Sequence, residues 1–250
     1  MFYGVPEGRQ RDLQHALATI ADIYKGQFYC DDMLIALWRN LSFQHDQKFM
    51  ACFYDTATND QERSLLWRLH TLAWAAKNAL KVEGDFVECG VFKGFCSAVL
   101  LKYLDFQDLP RKAYLYDTFE GLPEETSTER ERRAWDYTVN DPDEIYNEVR
   151  DRFSKIGNVT IVRGVVPKSF EIAAPDKVAF LHIDMNSEMA ERLALESLFE
   201  KVTPGGMIVL DDFGWTCNEN QMKTELAFMN KRGHAVLELP TGQGVVIKHA

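Results

Sequence analysis

Positive charge is in short supply in this sequence. It has 28 Lys and Arg residues against 38 Asp and Glu residues, which gives a formal net charge of −10 and a pI near 5.1. Binding to nucleic-acid phosphates requires clustered Lys and Arg side chains. The charge balance therefore argues against a nucleic-acid partner.

Paired cysteine motifs and long apolar runs are also missing. The five cysteines are odd in number and show no Cys-x-x-Cys spacing, which argues against a disulfide framework or a zinc ribbon. No apolar run approaches the ~18 residues of a membrane-spanning helix. The start, MFYGVPEGRQRDLQ, lacks the basic-then-apolar pattern of a signal peptide. We therefore expect a cytoplasmic protein with no membrane partner.

The chain does have the length and composition of one large α/β domain, with 250 residues of which 46% are hydrophobic. Residues 9–40 are predicted to be helical because apolar residues recur at helical spacing, namely Leu13, Leu17, Ile20 and Tyr24. A further helix is predicted over residues 65–80 with Asp60 as its N-cap, and the stretch between these helices is predicted to be a loop. We expect residues 1–80 to form a helical extension packed on a core of residues 81–250.

From residue 85 onward, short apolar runs alternate with helical patterns. The predicted parallel strands are DFVECG, AYLYD, VTIVRG, KVAFLHID and GMIVLD, the last opened by a turn at TPGG. The predicted helices are GFCSAVLLKYL, DPDEIYNEVRDRF capped by Asp141, MAERLALESLFEKV, and residues 221–231. The final runs, HAVLELP and VVIKH, are too close for a crossover helix and are predicted to form an antiparallel hairpin at the sheet edge. This pattern predicts a Rossmann-like, mostly parallel sheet with an antiparallel terminal hairpin, which is the shape of the class I methyltransferases.

Small-ligand chemistry is concentrated at the predicted strand ends, where such sheets bind ligands. In VECGVFKGF, Gly90 and Gly94 allow close approach to the backbone, and Glu88 offers a carboxylate. The Gly-x-x-x-Gly spacing differs from the Gly-x-Gly-x-x-Gly motif that binds a dinucleotide pyrophosphate. It suits S-adenosylmethionine, which has no phosphate. A glycine-eased strand-to-helix turn is the alternative reading.

The next two strand ends add an acid and a basic residue. Asp117 ends AYLYD 23 residues after Gly94, near the ~20 expected of a nucleoside-binding acid, and its carboxylate can accept hydrogen bonds from both hydroxyls of a ribose. A solvated turn aspartate is the alternative. Arg163 and Gly164 follow the third strand and are expected near the adenine ring.

Three carboxylates end the last two parallel strands. Asp184 follows one of them, and Asp211 and Asp212 follow its neighbour, about 5 Å away. Binding a cation would relieve their mutual repulsion. Oxygen ligands suit Mg²⁺ or Ca²⁺, so we expect a metal site. The alternative is that Asp211 or Asp212 only caps the following segment.

The motifs GDFVECGVFKGFCSA, YDTFEGLPEE, FLHID, TPGGMIVLDDFGW and LPTGQGVVIK resemble those of the macrocin O-methyltransferase family, over roughly residues 84–248. Its members are metal-dependent enzymes that methylate sugar hydroxyls with S-adenosylmethionine. The resemblance implies a divalent cation, such as Mg²⁺, held by Asp184, Asp211 and Asp212. It implies cofactor contacts from Glu88, Gly90, Val91, Phe92, Gly94, Ser97, Asp117, Thr118, Phe119, Arg163, Gly164 and Asp184. The family's helical N-terminal region carries a lid and oligomer contacts, which implies a homo-oligomer.

Position 186 departs from the family pattern. The family commonly has a second aspartate two residues after the first metal ligand, proposed as the general base, and this chain has Asn186. An amide cannot take a proton from a hydroxyl at neutral pH, but it can orient the acceptor. His182, on the same strand face as Asp184, and Glu188 are candidate substitutes, with core packing the alternative for His182. The catalytic candidates are therefore Asp184, Asn186 and His182.

The charged segment over residues 120–144 is interpreted either as a mobile cover over the acceptor site or as a solvated loop. Trp135, Tyr137 and Trp215 could line a sugar face or only pack.

The expected function is S-adenosylmethionine-dependent O-methylation of a hydroxyl on a sugar or glycosylated small molecule. Two other functions are considered, a catalytically silent S-adenosylmethionine-binding protein and a nicotinamide-dependent oxidoreductase.

Overall fold

The computed structural model describes residue 2, residues 4–136 and residues 141–250, and the chain divides into two compact units, Met1–His70 and Thr71–Ala250. In chain order, the first elements are α1 (Gln10–Ile23), β1 (Phe28–Asp31), β2 (Leu34–Leu37), α2 (Gln47–Thr56), α3 (Asp60–Ser64) and α4 (Leu66–Ala79). Strands β1 and β2 form an antiparallel two-stranded sheet of their own.

The prediction of helix over residues 9–40 is confirmed for α1 and is wrong for residues 28–37, which form the β1–β2 hairpin. The helix ends where Lys25 and Gly26 both adopt positive φ. Asp32 and Met33 also adopt positive φ, of 49° and 61°, as the two central residues of a tight hairpin turn require. Their sequence lacks the Asn-Gly or Asp-Gly signal that normally reveals such a turn.

The loop predicted between the helices is also wrong, because α2 occupies much of it. Asp46 caps this helix by accepting a hydrogen bond from the Phe49 amide at 3.0 Å. Asp60 is not the N-cap of the following helix. That role belongs to Asn59, whose side chain accepts from the Glu62 amide at 2.9 Å, so the cap lies one residue before the predicted one and Asp60 is the first residue of the helix.

The second unit contains a seven-stranded sheet that confirms the predicted fold class. Its strands are β3 (Asp85–Cys89), β4 (Ala113–Asp117), β5 (Val159–Arg163), β6 (Val178–Ile183), β7 (Val202–Leu210), β8 (Leu237–Glu238) and β9 (Gly244–Ile247). They lie in the order β5-β4-β3-β6-β7-β9-β8. Strands β3 to β7 pair in parallel, and the β8–β9 hairpin is antiparallel at the edge.

One boundary in this sheet differs from the prediction. TPGG does not form a turn before the strand, because β7 already begins at Val202 and includes it. The ladder with β6 shifts register there, since Val178 pairs with Val202 but Phe180 pairs with Met207. The extra residues are absorbed as an irregularity within the strand.

The remaining helices are α5 (Phe95–Tyr103), α6 (Glu129–Ala134), α7 (Pro142–Phe153), α8 (Glu188–Leu198) and α9 (Glu219–Lys231). The predicted cap of α7 is confirmed, because Asp141 accepts hydrogen bonds from the amides of Asp143 and Glu144. Every residue of β6 is buried, as expected for a parallel strand covered on both faces. No helix in the described ranges has the length and apolar character needed to span a membrane.

The strand order positions the ligand site. The chain runs outward from β3 through β4 to β5 and then returns to place β6 on the other side of β3. The order reverses at β3, and ligands of such sheets bind at the carboxyl ends of the strands on either side of this reversal.

Candidate active site

Asp117, at the end of β4, organises the loop that follows β3. Its Oδ2 atom accepts hydrogen bonds from the amides of Val91 and Phe92, both at 2.7 Å, and its Oδ1 atom accepts from the Phe119 amide at 2.6 Å. Phe92 and Phe119 have positive φ, of 47° and 57°, which turns their amides towards the carboxylate. A carboxylate has about four lone-pair sites, so Asp117 retains capacity for a ribose hydroxyl. Thr118 donates its hydroxyl to the Gly121 carbonyl.

Gly90 brings the ends of β3 and β6 into direct contact. Its φ is +90°, and a Cβ atom there would lie 1.8 Å from the carbonyl oxygen of Asp184. The Asp184 amide in turn donates to the Cys89 carbonyl at 2.8 Å. Gly94, with φ +75°, abuts the ring of Phe153, which a Cβ atom would approach to 2.7 Å. Gly90 is therefore required by a backbone contact, and Gly94 by its positive φ and the ring of Phe153.

A buried polar network crosses the sheet next to this junction. Ser97 donates its hydroxyl to Oε2 of Glu88, and Oε1 of Glu88 lies 2.9 Å from Nδ1 of His182. Nε2 of His182 lies 3.4 Å from Oδ1 of Asp211, which also accepts from the Gln243 side chain at 2.7 Å. Both oxygens of Glu88 are thus engaged with protein groups rather than turned towards solvent.

His182 is fully buried between two carboxylates. Burial lowers its pKa, but the hydrogen bonds to Asp211 and Glu88 outweigh that effect and raise the pKa well above 6.5. With both ring nitrogens engaged, the side chain suits a bridge between strands β3, β6 and β7 better than a base for the acceptor.

The acidic strand ends come together as a group that could hold a cation. Asp184, Asp211 and His182 each offer a ligand atom within 4.8 Å of the others. Asp212 follows Asp211 in the sequence and is also buried. Among the described residues, it does not belong to this group of converging ligand atoms. Two converging carboxylates fit a hard divalent cation such as Mg²⁺, with the remaining positions open to water or substrate.

Two buried acids behind this cluster were not predicted. Glu191 of α8 accepts hydrogen bonds at Oε1 from the amides of Met185 and Asn186, at 2.9 and 3.1 Å. Glu225 of α9 lies beside it, and both are almost fully buried. The signal was present in the sequence, because Glu191 falls on the buried stripe of α8 with Ala194, Leu195 and Leu198.

Burial raises the pKa of Glu225 to about 7, with contact to Glu191 lowering it and the charge of Asp212 raising it. The folded state therefore binds more protons than the unfolded state between pH 4.5 and 7, so stability falls as pH rises through that window. Glu225→Gln is expected to flatten this slope and to stabilise the protein above pH 7 by about 3 kcal/mol. Urea unfolding of the wild type and of Glu225→Gln at pH 5 and pH 8 checks this. An equal change in unfolding free energy between the two pH values in both proteins would contradict it.

The charged segment over residues 120–136 is anchored to the start of α8. Ser187 donates its hydroxyl to the Thr126 carbonyl, and the Glu188 amide donates to Glu131 at 2.9 Å. Glu131 also forms a capping box with Thr128 that starts α6. This part of the segment is therefore structured next to the acidic strand ends.

The aromatic residues predicted to line a sugar face, and the basic residue predicted near the adenine ring, contact other protein groups where the structure describes them. Trp135 donates its ring N–H to the Asn218 side chain at 3.4 Å, and Trp215 packs against Gly242. Tyr137 lies outside the described residues. Arg163 pairs with Glu120 and Asp143. The side-chain hydrogen bonds to Asp143 and Glu120 raise its pKa above the usual value. In the same region, Gly164 donates its amide to the Asp117 carbonyl at 2.9 Å.

Comparison with known proteins decides the family. Residues 65–234 match the family model described as macrocin-O-methyltransferase (TylF), which takes in more than half of the chain. The chain belongs to the macrocin O-methyltransferase family. The family predicted from the strand-end motifs is thereby confirmed.

Two curated relatives of this family member are named as O-methyltransferases, and the name of the first includes a rhamnosyl group. The 8-demethyl-8-(2,3-dimethoxy-alpha-L-rhamnosyl)-tetracenomycin-C 4'-O-methyltransferase of Streptomyces olivaceus is 29% identical over 161 residues, 59% of this chain and 60% of that protein. Mycinamicin III 3''-O-methyltransferase of Micromonospora griseorubida is 27% identical over 162 residues, 58% of this chain and 62% of that protein. The chain therefore matches about 60% of the length of these relatives.

Solved structures show the same fold. The O-methyltransferase NovP superposes with a TM-score of 0.61 at 20% identity, over 74% of this chain and 81% of that one. The parallel sheet with its antiparallel terminal hairpin is thus shared with a known methyltransferase.

Proposed function

We propose that this protein is an S-adenosylmethionine-dependent O-methyltransferase that methylates a hydroxyl of a sugar or glycosylated small molecule with the help of a divalent cation. Family membership and the activities named for the two curated relatives support the reaction class and the acceptor class. The observation that carries the proposal is the packing of Gly90 on the Asp184 carbonyl. It joins the loop held by Asp117 directly to the acidic cluster at Asp184 and Asp211.

On the cofactor side, the loop residues after Gly90 form the binding edge. S-adenosylmethionine supplies a methyl group on a sulfonium that is already reactive, so the protein's task is to position it. Asp117 binds the ribose, because its carboxylate is held in place by the amides of Val91 and Phe92. Glu88 does not contact the cofactor but stabilises the end of β3 through its hydrogen bonds to Ser97 and His182.

On the acceptor side, Asp184 and Asp211 hold the cation. A divalent cation supplies Lewis acidity to the acceptor hydroxyl. His182 and Gln243 fix the carboxylate of Asp211. Asn186 orients the acceptor, since its Oδ1 atom is buried and has no hydrogen-bond partner among the described residues.

One observation favours a second candidate, a catalytically silent S-adenosylmethionine-binding protein. Asn186 stands where the family commonly has its proposed base, and an amide takes no proton at neutral pH. Incubation with methyl-labelled S-adenosylmethionine and a panel of rhamnosides and other glycosides separates the two. Label transfer supports the enzyme, whereas tight S-adenosylhomocysteine binding without transfer supports the silent protein.

Asp117→Asn is expected to raise the Kd for S-adenosylhomocysteine by roughly tenfold or more, because a charge-assisted hydrogen bond to the ribose becomes a neutral one. Asparagine keeps one oxygen for the amides of Val91 and Phe92 but turns its NH2 group towards the Phe119 amide, whereas Asp117→Ala would lose all three bonds. Calorimetry makes the measurement, with the exposed Asp176→Asn as the matched control. An unchanged Kd would show that the ribose is bound elsewhere.

A further inference from the structure

A single buried oxygen holds the middle of the segment that joins β6 to α8. Oε1 of Glu191 accepts from two consecutive amides, those of Met185 at 2.9 Å and Asn186 at 3.1 Å. These are the two peptides that follow Asp184. Glu191 has no exposed surface, so water does not replace these bonds if they are lost.

The backbone at Asn186 adopts a conformation that depends on this support. Its φ is +54°, in the left-handed region that asparagine and aspartate tolerate better than most residues. The next residue, Ser187, is buried and tied to the Thr126 carbonyl. The main chain from Asp184 to Ser187 is therefore fixed at both ends, and Glu191 fixes its middle.

The surroundings of Glu191 are already rich in carboxyl groups. Glu225 of α9 and Asp212 at the end of β7 both raise its pKa, after burial itself. The Asn186 side chain is buried, and the backbone N–H of Asn186 donates to Oε1 of Glu191. Aspartate at position 186 would add a buried carboxylate close to this cluster, because the backbone N–H of the same residue bonds to Glu191, whereas the asparagine side chain adds no charge.

We propose that Glu191 is a positioning residue that aims Asp184 and Asn186 by holding the two peptides between them. We further propose that positions 186 and 191 form a pair in which 191 carries the carboxyl group and 186 the side-chain amide. The part that concerns Asp184 as a metal ligand rests on the proposed function. The pairing of 186 with 191 does not, because it concerns packing and charge alone.

Two substitutions at 191 separate positioning from simple filling of space. Glu191→Gln keeps an oxygen that can accept from both amides. Glu191→Met has similar volume and offers no comparable acceptor. If the hydrogen bonds matter, glutamine is tolerated and methionine is not. If only volume matters, the two variants behave alike.

The pairing is tested by thermal unfolding without any ligand. Glu191→Met is expected to lower the Tm by on the order of 5–10 °C, because two buried amides lose their acceptor. Glu191→Gln is expected to leave the Tm no lower than wild type. Asn186→Asp is expected to lower it by roughly 5 °C, and the double variant Asn186→Asp with Glu191→Gln to regain most of that loss. Additive effects of the two substitutions would overturn the pairing.

The positioning is tested by calorimetric titration with Mg²⁺ alone. Glu191→Met is expected to weaken Mg²⁺ binding by about tenfold or more, as loss of a residue that orients a ligand does, with Glu191→Gln close to wild type. Glu196→Met, on the same helix and exposed, is the matched control. Equal Mg²⁺ affinity in all variants would overturn the positioning. A wild type that binds no Mg²⁺ would overturn the metal part of the proposed function and this positioning, while the Tm data still judge the pairing.

Discussion

Gly90→Ala is expected to lower the free energy of unfolding strongly and to abolish cofactor binding. The new Cβ atom would lie 1.8 Å from the Asp184 carbonyl oxygen and 2.5 Å from its carbonyl carbon, which are backbone atoms that cannot rotate away. Alanine would also be strained at φ +90°. Strands β3 and β6 would have to separate, at a cost above about 4 kcal/mol, so the Tm should fall by roughly 10 °C or more.

Gly157→Ala is the matched control for this experiment. No atom lies within 4 Å of a Cβ placed there, and its φ is not in the left-handed region. Differential scanning fluorimetry and calorimetry with S-adenosylhomocysteine provide the two readouts. A Gly90→Ala protein that melts like the control and binds the cofactor product normally would contradict the close junction of the two strands.

Asp211→Asn is expected to abolish Mg²⁺ binding and to reduce methyl transfer by about 10²–10⁴-fold, while S-adenosylhomocysteine binding survives. The variant keeps an oxygen to accept from Gln243 but removes one formal charge from a site whose affinity depends on charge count. The reduction in rate follows because the acceptor hydroxyl loses the Lewis acid beside it. Chelation of the wild type by EDTA is expected to have the same effect.

The exposed Asp108→Asn is the control for this charge change. Mg²⁺ titration, S-adenosylhomocysteine titration and turnover are measured on the same preparations. Loss of cofactor binding together with turnover would indicate a folding defect rather than loss of the cation. Normal turnover in Asp211→Asn would remove Asp211 from the site.

The parallel sheet and its strand ends were predictable because their signals are local. Short apolar runs, glycine turns and terminal acids are read directly from stretches such as those around Gly90, Asp117 and Asp184. Pairing of neighbouring strands then follows from the fold class, and the β6–β7 pairing places Asp184 near Asp211. The motifs that resemble the family contain these same strand ends and predict the same fold.

The features that were missed depend on long-range packing. Glu191 and Glu225 meet because α8 and α9 lie side by side, although 34 positions separate them in the chain. His182 engages Glu88 and Asp211 only because β3, β6 and β7 are adjacent. The β1–β2 hairpin turns at Asp32 and Met33, whose strained backbone has no sequence signal. The end of α1 did have a signal, because Gly26 follows the last residue of the apolar stripe, and the prediction over residues 9–40 did not use it.

Transfer of label from methyl-labelled S-adenosylmethionine to a glycoside, measured side by side in Mg²⁺ and in EDTA, tests the central claim most directly. The account predicts a labelled O-methyl product in Mg²⁺ and no product in EDTA, with S-adenosylhomocysteine bound equally well under both conditions. Label transfer that continues undiminished in EDTA would contradict a cation at Asp184 and Asp211. The absence of transfer to any hydroxyl-bearing glycoside in Mg²⁺ would contradict the proposed sugar O-methylation.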